Sequence, residues 1–190
     1  MIWVLMGGVS IALLGAIIAY AVFNASKPQP GTKTPDDGRD HFNVRGYGHV
    51  PIGQTTFKPY STDPPTSGPH WDVPEPKGIY SQEPDEQLVH SLEHAYVVIH
   101  INCGETDCPD LYNQARDIYL TYDKKIILNY RPQTKSRIAL AAWTRMLTID
   151  ASELGKNQDG KEVLTPEVKA KMTAFIDAYR TKNAPENDAP

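Results

Sequence analysis

The run Leu88-Val89-His90-Ser91-Leu92-Glu93-His94, followed at once by Ala95-Tyr96-Val97-Val98-Ile99-His100-Ile101, changes its periodicity part-way, and that change decides the kind of fold the chain adopts. Leu88, Val89, Leu92 and Ala95 recur at helical spacing, Pro84 suits a first helical position, and Asp85 and Glu86 suit the positive end of a helix dipole. A short helix ending near His94 is predicted. The residues after it are β-branched and aromatic, which predicts a central strand.

Working outward, Pro109 to Tyr122 has the apolar spacing of an amphipathic helix, with Leu111, Ala115, Ile118 and Tyr119 or Tyr122 facing inward. Lys125 to Tyr130 and Arg137 to Thr144 read as strands, and Thr165-Pro166-Glu167 opens a last helix carrying Val168, Met172, Phe175, Ile176 and Tyr179. The order predicts an α+β domain, a small and mainly antiparallel sheet with helices packed on it. Upstream, Pro51 to Pro84 contains eight prolines, which rules out a helix or a central strand there. Tyr60, Trp71 and Tyr80 are expected to pin that segment to the core.

From Ile2 to Phe23 there is no charged side chain, and about 20 apolar residues in a helix span a bilayer's hydrocarbon core. The expected organisation is a transmembrane anchor over residues 1–23, a Pro- and Lys-containing linker over 24–40, an extracytoplasmic globular domain over 41–184 and a polar tail over 185–190. A cleaved signal peptide is the alternative, since Ala19-Tyr20-Ala21 has the small-x-small pattern, although a basic n-region is missing. Cys103 and Cys108 can close a small disulfide loop, as an oxidising compartment permits, with metal-binding or redox thiols as the alternative. A net charge of −4 with no Lys/Arg cluster excludes a nucleic-acid partner.

All six histidines fall between His41 and His100. His90 and His94 are four apart, which on a helix puts both imidazoles on one face, where they can share a metal ion. His70 emerges from a Gly68-Pro69 turn and His49 follows Gly46-Tyr47-Gly48, so both can be held rigidly. His49, His70, His90 and His94 are the expected metal ligands. Glu93 projects ~100° from His94 and is expected to support a ligand from behind. His41 and His100 are read as ordinary hydrogen-bonded residues, and Ser67, between Thr66 and Gly68-Pro69, as turn chemistry rather than a nucleophile.

Three functions compete. The first is a membrane-anchored metal-binding protein, with copper preferred because an all-imidazole set suits Cu(II), and zinc as the alternative. The second is a zinc-dependent hydrolase, because His90-Ser91-Leu92-Glu93-His94 fits H-x-x-E-H, with Glu93 as general base and Glu162 or Glu167 as a further carboxylate ligand. The third is a non-catalytic cell-surface binding module whose histidines only satisfy hydrogen bonds.

Pro64-Pro65-Thr66-Ser67-Gly68-Pro69-His70, then Gly78-Ile79-Tyr80, then Val89-His90-Ser91-Leu92-Glu93-His94 before a Val-Val strand, resembles the membrane-anchored bacterial family catalogued as domain of unknown function 3105. The resemblance runs from about His49 to Glu186, with Ala141-Ala142-Trp143-Thr144-Arg145 and Ala184-Pro185-Glu186 similar to the later segments. It implies His49, His70, His90 and His94 as the family's histidines, with Glu93 beside them. Ala95 stands where the family pattern has glycine.

Overall fold

The computed structural model describes residues 13–19, 28–37, 49–54 and 60–189. Residues 13–19 are helical, and the rest of the predicted anchor lies outside the described residues. Among the described residues no helix is long and apolar enough to cross a membrane.

The predicted change of period is realised as helix α1 (Asp85–Glu93) followed by strand β5 (Val97–Ile101). Before them come β1 (Thr32–Lys33), β2 (His49–Val50), β3 (His70–Trp71) and β4 (Gly78–Ser81). After them come α2 (Pro109–Leu120), β6 (Ile126–Tyr130), β7 (Ile138–Ala142), β8 (Arg145–Ile149), β9 (Gly155–Lys156), β10 (Glu162–Val163) and α3 (Pro166–Tyr179). Six strands make one mixed sheet in the order β1-β8-β7-β5-β6-β4. The pairings β1–β8, β8–β7 and β7–β5 are antiparallel, whereas β5–β6 and β6–β4 are parallel. The fold is α+β as expected, with α2 as the crossover between parallel β5 and β6.

Strand β5 lies at the centre of this sheet and its side chains divide two cores. Val97, Ile99 and Ile101 pack with Leu111 of α2 and Phe175 of α3 on one face. Val98 packs with Leu88, Val89 and Leu92 of α1 and with Trp143 on the other. That second face carries the histidines, under α1 and the proline-rich segment.

Four features go beyond the sequence reading. Arg145–Ile149, read as nothing, is a strand joined to β7 by a tight turn in which Thr144 takes φ 54°. Gly78–Ser81, within the proline-rich segment, is the edge strand β4, a position where neighbouring prolines do no harm. Residues of the predicted linker lie on the domain: Thr32 and Lys33 pair with β8, and the buried Thr34 hydroxyl shares a 2.6 Å hydrogen bond with Thr66. The tail is also tied down, since the Lys125 ammonium donates to the carbonyls of Asn187 and Ala189 at 2.8 and 2.6 Å.

Cys103 and Cys108 are joined in a disulfide between the end of β5 and the start of α2. His100 on β5 is a buried ionisable residue of the core. It is 2% exposed, and burial, with the Arg131 guanidinium adding to it, pushes its imidazole down to about 3. The unfolded chain therefore binds a proton below the ordinary value of 6.5 that the folded chain refuses, so stability falls as pH drops from 6.5 towards 3. At pH 4.5 the loss from this one residue is about 3 kcal/mol. Urea unfolding with chelator present should show His100→Gln losing correspondingly less stability between pH 7 and 4.5 than the parent chain; equal losses would refute this account.

Candidate metal centre

Local backbone geometry brings four donors together from three segments. Strands β2 and β3 pair in parallel with His49 opposite His70, so their imidazoles lie side by side, ring centroids 4.8 Å apart. Gly68 makes the approach to His70 possible: it takes φ 126°, and a Cβ there would meet the Tyr60 ring at 2.8 Å. The Tyr60 hydroxyl donates to the Pro69 carbonyl at 2.6 Å and fixes the turn.

Helix α1 supplies the others. Pro84 is its N-cap rather than its first helical residue, and Asp85 and Glu86 occupy the first turn. Ser91 staples the helix to the proline-rich segment, its hydroxyl donating to the Glu75 carbonyl and accepting from the Glu75 N–H, both at 2.9 Å. His94 caps the helix, and Ala95 then takes φ 62°, the left-handed conformation glycine adopts freely. That accounts for glycine in the pattern the sequence resembles at this position.

One ligand atom from each of His49, His70, His90 and Glu93 lies within 4.8 Å of the others. Glu93 Oε2 is 2.9 Å from His70 Nε2 and 3.8 Å from His49 Nε2. These buried atoms, His49 Nε2, His70 Nε2 and Glu93 Oε2, have no hydrogen-bond partner despite their closeness. The opposite ring nitrogens are all engaged. His70 Nδ1–H donates to the Gly68 carbonyl at 2.8 Å and His90 Nδ1–H to the Trp71 carbonyl at 2.6 Å, while His49 Nδ1 faces Asp72 Oδ1 at 3.1 Å. A carbonyl only accepts, so Nδ1 carries the proton and a neutral ring turns its Nε2 lone pair inward. Burial, with the neighbouring His70 next, pushes His90 down to about 4, which keeps it neutral at physiological pH.

The sequence-predicted residues are therefore rearranged in one respect. His49, His70 and His90 converge, and Glu93 joins their donor atoms instead of standing behind them. His94 lies outside that group, with Nε2 3.1 Å from His90 Nε2 and 3.2 Å from Glu186 Oε2. Glu93 joins because it is three residues from His90, ~60° from it around the helix and on the same face. Measuring from His94 hides this. His94 stands at the C-cap, with Glu186 beside it. Two residues escaped the sequence reading: Asp72 behind His49, and Glu186 beside His94, which sat in a tail expected to be frayed. Trp143, edge-on to His70 at 6.5 Å between centroids, walls the site.

The remaining candidates lie elsewhere. Glu162, on β10, is 2.8 Å from the Arg137 guanidinium, and Glu167 is in the first turn of α3. The Ser67 hydroxyl donates to the Pro35 carbonyl at 3.2 Å and accepts from the Asp37 N–H at 2.9 Å, a loop-fixing role. His100 is buried in β5, and His41 lies outside the described residues.

Residues 52–159, more than half of the chain, match the family described as Protein of unknown function (DUF3105). No curated protein and no solved structure matches the chain. His70, His90, Glu93 and His94 fall within the matched residues, and His49 and Glu186 flank them.

Proposed function

Because the chain belongs to the DUF3105 family, whose description assigns no activity, the site itself must supply the reading, and we propose that it binds one divalent late first-row transition ion through His49, His70, His90 and Glu93. The observation that carries this is the set of buried, unpartnered Nε2 and Oε2 atoms facing one another while the outer ring nitrogens are hydrogen-bonded. Two ligands at ~2.0–2.1 Å from one ion are about 3–3.5 Å apart across a coordination edge; Glu93 Oε2 lies 2.9 Å from His70 Nε2 and 3.8 Å from His49 Nε2, and the four donors, all within 4.8 Å, draw together on an ion. The Nδ1 bonds to backbone carbonyls and Asp72 orient the rings and raise their basicity, as partners behind metal-bound histidines do.

Three imidazoles and a carboxylate suit copper, zinc and their neighbours. The carboxylate removes the all-imidazole rationale for copper, and copper remains first only because Cu(II) leads the usual affinity order, with zinc next to it. Hydrolysis is disfavoured by position: a general base stands about one water away from the ion, whereas Glu93 Oε2 sits among the ligand atoms. The uncharged run Ile2–Phe23 and the Cys103–Cys108 disulfide support placing this domain outside the cytoplasm behind a membrane anchor.

The test is metal analysis and titration of the purified chain with Cu(II) or Zn(II) alone, following tryptophan emission, because Trp143 reports on His70. One ion per chain is expected, and His70→Ala and His90→Ala should each abolish stoichiometric binding. Unchanged stoichiometry and affinity in both variants would end the proposal.

A further inference from the structure

The structure holds a second pair of metal-binding side chains against the donor group, and we propose that Glu186 with His94 forms the station through which the ion passes between solvent and the buried site. This inference rests on metal binding by His49, His70, His90 and Glu93.

Three observations carry it. First, the same nitrogen of His94, Nε2, lies 3.1 Å from His90 Nε2 and 3.2 Å from Glu186 Oε2, so donor atoms succeed one another at coordination-edge spacing from the tail to an inner ligand. Second, side-chain exposure falls from 36% at Glu186 to 10% at His94, and inside the site it is 3% at Glu93 and 0% at His70, whereas His49, at the edge beside Asp72, is 21% exposed. Third, Glu186 is held in place and does not merely hang from the tail. Its N–H donates to the Glu93 carbonyl at 3.0 Å, and the Ala184 N–H donates to Asn187 Oδ1 at 2.9 Å. Lys125 clamps the carbonyls on its far side.

The other exposed edge of the site does not offer this route. Asp72 is more exposed, but it approaches His49 at Nδ1, the nitrogen turned away from the donor group. Among the described residues, His94 is where one nitrogen faces both an exposed carboxylate and an inner ligand.

A carboxylate at the mouth draws in a hydrated cation and replaces part of its water shell before the imidazoles take over. Charge steering of this kind changes association rates by about tenfold or more. Release retraces the same path, so removing the carboxylate slows both directions and leaves the bound state little changed.

The experiment is stopped-flow uptake of Cu(II) alone and EDTA-driven release, on the full chain and on Glu186→Gln. Uptake and release are both expected to slow about tenfold, with one ion still bound, and Glu186→Asp should recover most of the rate. Equal rates in Glu186→Gln and the parent chain would overturn the station. So would faster release with lost affinity, which would make Glu186 a permanent ligand. A parent chain that takes up no ion is a different result: it overturns the metal-site reading itself.

Discussion

Glu93→Gln is expected to match or exceed the parent chain in thermal stability without metal and to fall well below it with metal. In the metal-free chain Glu93 is 2% exposed, its Oε2 aimed at the Nε2 atoms of rings whose Nδ1–H groups already donate outward. With those rings neutral, lone pair faces lone pair, an arrangement that costs free energy until a cation fills it. Glutamine removes the charge and supplies an N–H that can donate to His70 Nε2, 2.9 Å from the present oxygen. Metal-free Glu93→Gln should therefore melt at or above the metal-free parent. The loaded parent should melt well above both: a ligand present at a thousandfold excess over its Kd stabilises by about 4 kcal/mol. For a domain of this size that corresponds to about 10 °C. Loss of an orienting partner alone weakens a site about 10–100-fold, and loss of a charged ligand should exceed that. Calorimetry of both proteins with metal and with EDTA decides it. If Glu93→Gln melts lower under both conditions by the same amount, Glu93 is a structural hydrogen-bonding residue.

The helix and the central strand were legible because their signal is local: the change from helical to extended spacing within Asp85–Ile101 needs no distant residue. The hairpin β7–β8 was not, because its turn at Trp143-Thr144 contains no glycine or asparagine, and Thr144 takes a positive φ that its side chain disfavours. Strands β1 to β3 are two residues long, too short to show any alternation, and exist because the sheet edge and α1 hold them. The histidines could be selected by residue type and spacing, but their arrangement around one point depends on the parallel pairing of His49 with His70, which leaves no trace in the sequence. Glu93 was visible and its position was misjudged, since its helical angle matters relative to His90. Glu186 acquires its place only through long-range bonds of the tail to α1 and Lys125.

Arg131→Met should lower both stability and metal affinity, because this guanidinium joins the two segments that deliver the ligands. It is 4% exposed at the end of β6 and binds both Asp85 oxygens, Nε at 3.2 Å and Nη2 at 2.8 Å. Nη1 binds Asp63 and, at 3.3 Å, the Thr134 hydroxyl. Asp85 opens α1, which carries His90 and Glu93, and Asp63 begins the proline-rich stretch that leads to His70. Removing one member of a buried ion pair costs about 3–5 kcal/mol. Here the Asp63 and Asp85 side chains are 46% and 26% exposed, so water recovers part of that. A loss of about 2–3 kcal/mol remains, a fall in Tm of roughly 5–10 °C. Arg131→Lys keeps the charge without the two-pronged grip on Asp85 and should fall in between. The link to the site separates this from a simple defect of the core. With α1 and the His70 turn free to shift relative to each other, the affinity for Cu(II) should drop along with Tm. Val97→Ala, a cavity on the opposite face of the sheet, should lower Tm without that drop. Equal affinity in Arg131→Met and Val97→Ala would show that the ion pair supports the fold and does not set the site.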